Sequence, residues 1–180
     1  RLIDMADVAG TEKVKTEKDP SLVAYLKSMG IDPDYVGPKD DKRRVVIKQL
    51  DIIFKDHDKR ETLTFNTPEE IKNAKKNPLT IKEGSFYKMQ VTFRVQHELV
   101  AGFKIVNKVS RMGKEIKDVE MMGSYPPSNE FKSLDIPRSG WNEAPSGALL
   151  RGDYKAKMQF TDDDGADHLT FDYAIKIASD

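Results

Sequence analysis

Hydrophobic and polar side chains alternate along most of this chain. The clearest case is residues 152–177, where two alternating runs flank an acidic turn. In the second run Leu169 and Phe171 share one side, whereas Thr170 and Asp172 share the other. Because successive side chains of a strand point to opposite faces, this pattern predicts an antiparallel pair with one apolar and one solvent-facing side.

The same alternation predicts eight strands separated by turn residues. They cover residues 45–54, 62–65, 80–82, 87–95, 99–109, 115–122, 153–160 and 169–177. Polar turns are predicted at 96–98 and 111–114, a short helix at 67–76, and a loop with prolines and serines at 126–145. Short strands with turn signals at close spacing are typical of a two-sheet antiparallel sandwich, so the predicted fold class is all-β.

A short helix is predicted ahead of the strands. Asp19 suits the N-cap, Pro20 the first helical position and Gly30 the position past the end. Four apolar residues then fall on one face: Leu22, Tyr25, Leu26 and Met29. Such a face packs either on its own body or on a partner protein, and spacing alone leaves both open. We predict a flexible helical arm over residues 1–40 and a sandwich over 41–180.

Composition narrows the classes of function. Thirty basic and thirty acidic residues cancel, so no global field draws the chain to nucleic acid or to an anionic membrane. The chain has no cysteine, which excludes disulfides and thiolate metal sites and favours a reducing, cytoplasmic compartment. No apolar run approaches membrane-spanning length. Since the chain begins with Arg1 and not with Met, we expect it to be a fragment.

No catalytic constellation stands out, and we expect neither an enzyme nor a cofactor. The histidines lie in or beside predicted turns without partners at metal-ligand spacing, which favours surface positions: His57, His97 and His168. The acidic run at 162–165 fails the calcium-loop pattern, because Phe160 and Phe171 would take its first and twelfth positions. Two interpretations of this run stay open, a solvated hairpin tip and a docking patch for a basic peptide.

Several longer strings resemble the Rho GDP-dissociation inhibitors. They are IKEGSFYKMQVTFRVQHELVAGFK, MMGSYPP, EAPSGALLRGDY and FTDDDGADHLTFDY, and DPSLVAYLK resembles that family's N-terminal helix. The resemblance implies an immunoglobulin-like body and a regulatory arm that is mobile when free. It also implies a partner, a GDP-bound Rho- or Rac-type GTPase that carries a C-terminal geranylgeranyl group. As a monomer that forms a heterodimer, the chain would extract this GTPase from membranes and inhibit GDP release, without inserting stably itself.

The resemblance also assigns site residues. An isoprenoid pocket between the sheets would involve Ile52, Leu79, Tyr87, Leu99, Ala156 and Tyr173, all on faces that alternation marks as apolar. The GTPase would be contacted by Asp19, Ser21 and Tyr25 of the arm and by Asp164 of the acidic turn, and its basic tail would be received by Asp118 and Glu143. Plain core packing is the alternative for each pocket residue. Helix capping or solvation is the alternative for each contact residue.

The chain departs from the family's pattern in the pocket. Animal members carry tryptophans where Phe171 and Tyr173 stand, Leu79 replaces an aromatic residue, and Ala156 replaces a larger aliphatic one. We therefore expect a pocket of different shape. The rival functions are a general prenyl- or acyl-binding carrier of the same fold and a plain interaction sandwich with a filled core. Deletion of residues 1–39 separates the carrier from the GTPase regulator, because only the regulator needs the arm.

Overall fold

The computed structural model describes residues 19–180, and the chain divides between Pro33 and Asp34 into two units. The described part of the first unit contains helix α1 (Pro20–Ser28). The carboxylate of Asp19 caps it by accepting a hydrogen bond from the N–H of Ser21 at 2.9 Å. This helix confirms the prediction from the cap, the proline and the glycine. The predicted division into arm and body at residue 40 stays a prediction, and the first eighteen residues of that arm lie outside the described residues.

Within the described residues the second unit contains ten strands and one further α-helix. The strands are β1 (Val45–Phe54), β2 (Arg60–Thr64), β3 (Leu79–Lys82), β4 (Phe86–Val95), β5 (Val100–Arg111), β6 (Lys114–Tyr125), β7 (Lys132–Ile136), β8 (Asn142–Glu143), β9 (Gly152–Thr161) and β10 (Leu169–Ala178). Helix α2 (Pro68–Asn73) begins at the Thr67 cap and continues into a 3₁₀ turn (Ala74–Lys76). All eight predicted strands are present.

The strands form two sheets whose inner faces share one core. The first sheet has the order β2-β1-β4-β7, with β8 pairing to the start of β4, and the second has the order β3-β10-β9-β5-β6. This confirms the all-β sandwich. The pairing differs from a wholly antiparallel prediction at β3, which runs parallel to β10. A parallel neighbour is possible here because the α2 segment separates β2 from β3 and lets the chain approach the second sheet from either direction.

Two connections have features that the sequence pattern did not predict. The turn at 96–99 carries the chain from β4 in the first sheet to β5 in the second. Gln96 is fully buried there, and its Nε2 donates a hydrogen bond to the carbonyl of Arg43. The segment 126–145, predicted as loop, contains β7 and β8. These strands are short and pair only with β4, so they show too few alternating positions to be recognised.

A bulge at the start of β5 moves the apolar face by one residue. Gly102 has φ of 62°, and the pairing with β6 shifts register between Val100 and Phe103. Because the extra residue resets the alternation, Val100 and Phe103 are both buried. Leu99 lies before the strand with 38% of its surface exposed. The predicted position of Leu99 on the inner face is therefore wrong.

Candidate functional site

A cavity of about 380 Å³ lies between the two sheets, near the start of β4. Its apolar walls come from both sheets: Met89, Ile105, Val109, Ile136 and Ile175. Polar side chains complete the lining, mostly near the surface: Tyr87, Asn107, Asp118, Glu120 and Glu143. The arrangement is a slot with apolar walls and an acidic rim, formed by Asp118, Glu120 and Glu143. It suits an apolar ligand that has a basic neighbour.

Two phenols stand beside this slot: Tyr173 is buried and Tyr87 is half-buried. The hydroxyl of Tyr173 donates a hydrogen bond to Oδ1 of Asn107 at 2.6 Å. Burial raises the pKa of Tyr173, and the bond to Asn107 offsets only part of that rise. Burial, followed by the negative charge of Asp118, raises the pKa of Tyr87. Both phenols are therefore protonated at neutral pH, so Tyr173 keeps its hydrogen bond to Asn107 and Tyr87 can act as a donor.

The structure brings seven of the predicted site residues together at the slot. Tyr87, Asp118 and Glu143 line it directly. Each of the other four is buried next to a lining residue: Ile52 opposite Met89, Leu79 opposite Ile175, Ala156 opposite Val109, and Tyr173 bonded to Asn107. Leu99 follows the far end of β4, where Val95 lies about 27 Å from Tyr87 along the strand. Leu99 does not join the set.

Several lining residues were absent from the predicted set, and some of them had a signal in the sequence. Alternation marks Met89 and Ile105 as inward-facing. Asn107 was the stronger clue, since it is a polar residue at an inward position between Ile105 and Val109. Ile136 could not be found in this way, because its short strand lies in the segment predicted as loop.

The acidic turn between β9 and β10 is organised by a buried carboxylate. Asp162 is 1% exposed, and its Oδ1 accepts hydrogen bonds from the N–H groups of Asp164 and Ala166. Its Oδ2 lies 2.7 Å from Nε2 of His168. Burial alone would raise the pKa of Asp162, but the hydrogen bonds, that of His168 first, outweigh it and hold the pKa below its usual value. The turn therefore presents Asp164, which is exposed, on a fixed backbone.

The surface position predicted for His168 is wrong. Its side chain is only 5% exposed, because it packs on the buried Asp162. His57 and His97 are exposed. The interpretation of the run 162–165 as a solvated tip likewise fails for Asp162 itself, although Asp163 and Asp164 are exposed.

Residues 37–44 lie beside this acidic turn. Nε2 of His97 is 2.5 Å from the carbonyl oxygen of Asp41, and Nη1 of Arg44 is 4.0 Å from Oδ2 of Asp162. Arg44 also donates a hydrogen bond to the carbonyl of Leu99 at 2.9 Å. These contacts gather at the end of the sandwich where β4 finishes, opposite the slot.

The three predicted arm residues lie together on α1. The carboxylate of Asp19 accepts hydrogen bonds from the hydroxyl and the N–H of Ser21, and these two bonds lower the pKa of Asp19. Ser21 and Tyr25 are one helical turn apart, so they share a face. Leu22 and Tyr25 are exposed, whereas Leu26 is buried. An exposed apolar stripe therefore runs beside the capping pair.

Residues 19–180 contain neither a cluster of metal ligands nor a membrane-spanning helix. In that range no three His, Asp or Glu side chains are grouped so as to hold a metal ion. None of its helices combines the length and the apolar character needed to span a bilayer.

The chain is similar in sequence to known proteins of one family. Residues 6–180 match the family model described as RHO protein GDP dissociation inhibitor. A Dictyostelium discoideum protein provisionally named rho GDP-dissociation inhibitor 1 is 40% identical over 170 residues, covering 93% of this chain and 85% of the relative. The Rho GDP-dissociation inhibitor of Saccharomyces cerevisiae is 32% identical over 166 residues, covering 89% and 81%. Rho GDP-dissociation inhibitor 1 of Homo sapiens is 38% identical over 112 residues, covering 62% and 53%.

These matches span nearly the whole chain and confirm the resemblance that the separated motifs indicated. The description of this family names the inhibition of a dissociation step and no catalysed reaction. The chain therefore belongs to the RHO protein GDP dissociation inhibitor family, whose members are regulatory inhibitors and not enzymes.

Proposed function

We propose that this chain holds a GDP-bound Rho-family GTPase in the cytoplasm by sheltering its C-terminal geranylgeranyl group in the slot between the sheets. The observation that carries the proposal is the slot itself, with apolar walls from both sheets beneath Asp118 and Glu143. A prenylated tail that carries basic residues offers the complementary pair of an apolar chain and positive charge.

The energetics favour transfer between two dry environments. A geranylgeranyl chain has about twenty carbons, and burial gains roughly 0.8 kcal/mol per methylene, so exposing it to water would cost on the order of ten kcal/mol. Moving it from a bilayer into an apolar slot is close to neutral. Contacts with the GTPase must then tip the balance, and the acidic rim and the arm are the proposed sources of those contacts.

The slot must widen to take the whole isoprenoid. Its volume of about 380 Å³ is near the lower end of the roughly 300–1,000 Å³ of ordinary ligand pockets. Room to widen exists at the β6 edge, where Ile116 lies opposite Val109 on the inner face and is 67% exposed. A longer ligand would cover this exposed apolar surface.

The arm would act on the nucleotide-binding part of the GTPase. We propose that residues 1–40 form a regulatory arm, that residues 41–180 form the prenyl-binding body, and that α1 lies on the switch regions through Leu22 and Tyr25. Ordering the arm costs conformational entropy, which the burial of these side chains offsets. A clamp on the switch regions restricts the movement needed for GDP release. Asp164, on its fixed turn, would add a contact from the body.

The test mixes the chain with vesicles and either prenylated or unprenylated Rho GTPase. After sedimentation, the amount of GTPase in the supernatant measures extraction by the chain. Val109→Trp should fill the slot and abolish extraction of the prenylated GTPase. Ile53→Trp is the matched control, because Ile53 lies on the outer face of β1 and is also half-buried. Circular dichroism checks that both variants fold. Extraction that survives in a folded Val109→Trp variant would refute the slot as the lipid site.

A further inference from the structure

The outer face of the second sheet carries a row of lysines that points away from the slot. Lys117 of β6, Lys108 of β5 and Lys157 of β9 lie directly opposite one another in the register of the sheet. Like charges in such cross-strand pairs destabilise a sheet, so the row indicates a use for the charge. Lys104 and Lys155 lie on the same outer face. We call this surface the lysine face: Lys104, Lys108, Lys117, Lys155 and Lys157.

Most of this charge is not neutralised by ion pairs. Within residues 19–180, Lys157 is the one member of the lysine face with a carboxylate within 4 Å, and its partner is Asp172 at 3.9 Å. Other carboxylates share the outer face, but they are fewer than the lysines: Glu115, Asp153 and Asp172. The face is therefore positive although the chain as a whole is neutral.

Exposed apolar side chains border the lysine face. Val119 and Met121 lie on the outer side of β6, and Met112 at the tip of the β5–β6 hairpin is 88% exposed. Met112 has φ of 51°, a left-handed conformation that asparagine or glycine adopts more easily. An exposed apolar residue retained at such a position points to a use for its side chain.

We infer that the lysine face docks on the headgroups of an anionic phospholipid bilayer. Lysines with a few apolar side chains at their border are the composition of surfaces that bind the membrane interface. A groove of about 780 Å³ at the hairpin end gives room for phosphate groups, because its basic lining residues outnumber its two carboxylates: Lys75, Arg111, Lys114 and Lys155 against Glu115 and Asp153. A bilayer fits better than an acidic protein, because the lysines spread over three strands and the apolar residues do not form a pocket.

Docking of the lysine face would serve the proposed function, and its biological role rests on that function. Strand β6 contributes Lys117 to the lysine face and Asp118 to the rim of the slot. Docking would therefore bring the rim close to the bilayer from which a prenyl group is taken. The docking itself needs no GTPase, so it can be tested with the chain alone.

The test is sedimentation of the chain with phosphatidylcholine vesicles that contain none or about 30% phosphatidylserine. We expect binding to the anionic vesicles only, with release as salt rises from about 0.1 M to about 1 M. In the test variant four lysines are changed to glutamine: Lys108, Lys117, Lys155 and Lys157. In the matched control the same change in net charge is made around the first sheet, at Lys42, Lys48, Lys55 and Lys59.

The test variant should lower the vesicle partition coefficient by roughly tenfold or more, because each lysine near the headgroups contributes to binding. The control should change it by less than about threefold. Equal losses in the two variants, or failure of the unmodified chain to bind anionic vesicles, would overturn the inference. No prenylated protein is present, so these outcomes do not depend on whether the slot binds lipid.

A second variant separates loss of docking from loss of folding. Met112→Asn suits the left-handed turn better, so the urea midpoint should not fall. Without the apolar tip, the partition coefficient should drop by about two- to threefold. An unchanged coefficient would contradict contact of the hairpin tip with a bilayer.

Discussion

Replacing Asp162 by alanine removes the acceptor that fixes the acidic turn. Three donors lose their partner: the N–H groups of Asp164 and Ala166, at 2.9 and 3.2 Å, and Nε2 of His168 at 2.7 Å. The His168 side chain is buried, so water replaces its hydrogen bond poorly. The two N–H groups lie in a turn, where water replaces part of what is lost.

The expected cost follows from these contacts. A hydrogen bond to a charged group is worth about 1.5–3 kcal/mol, and a buried donor left without a partner adds its desolvation penalty. Allowing for water at the turn, we expect Asp162→Ala to lower the free energy of unfolding by about 3 kcal/mol. Asp163→Ala is the neighbouring control, and because Asp163 is exposed its effect should stay within about 0.5 kcal/mol.

Equilibrium unfolding in urea, followed by the fluorescence of Trp141, measures both variants. A loss below about 1 kcal/mol for Asp162→Ala, or equal losses for the two variants, would refute the assignment of Asp162 as the organiser of the turn. The same variant should weaken GTPase binding, because a loosened turn no longer fixes the position of Asp164. The Asp163 control should bind normally.

The lowered pKa of Asp162 gives this prediction a pH dependence. A carboxylate whose pKa is lower in the folded state stabilises the fold above its unfolded pKa, near the usual 3.8, and this stability is lost as pH falls through the folded value. The difference in unfolding free energy between the unmodified chain and Asp162→Ala should therefore be constant near neutral pH and shrink below about pH 4. A difference that is unchanged in acid would contradict the charge-dependent part of the argument.

Three further predictions test the slot and its surroundings. Tyr173→Phe should lower the free energy of unfolding by about 1 kcal/mol in urea, since Asn107 loses its buried donor, and no loss would show that this bond does not stabilise the fold. Leu99→Ser should leave the affinity for a geranylgeranylated peptide unchanged, because Leu99 lies outside the slot; a large loss, measured by fluorescence titration, would restore it to the pocket. Asp164→Ala should weaken binding of the prenylated GTPase by about two- to fivefold at low salt, whereas Asp172→Ala, an exposed carboxylate of the outer face, should not; equal effects would indicate general electrostatics.

Alternation predicted the strands wherever a long strand has one buried face. β1 was predicted with the bounds that the structure gives, because ten residues provide enough alternating positions. Helix α1 followed from local chemistry alone, namely the Asp19 cap, Pro20 and Gly30. Seven predicted site residues lie at the slot. The resemblance assigned all seven, and alternation also marks the pocket residues among them as lying on apolar faces.

The remaining features depend on contacts between distant parts of the chain. The bulge at Gly102 moved Leu99 to the surface, and a run of apolar residues does not reveal where an extra residue enters a strand. The buried position of His168 goes with its contact to Asp162, six residues away, and Asp162 in turn lies 4.0 Å from Arg44, just before β1. Strands β7 and β8 are defined by their pairing with β4, so a short segment rich in turn residues could be assigned only after the sheet was known.

The hairpin between β5 and β6 has a two-residue loop, Met112 and Gly113. Loop length sets the register of a hairpin, and a shift of one residue sends every side chain of a strand to the opposite face. A shift of one residue in this register would turn Asp118 outward and Lys117 toward the interior, and the acidic and basic surfaces of this edge would change places. The separation of acidic and basic residues between the two faces of this edge therefore depends on the register that one tight turn sets.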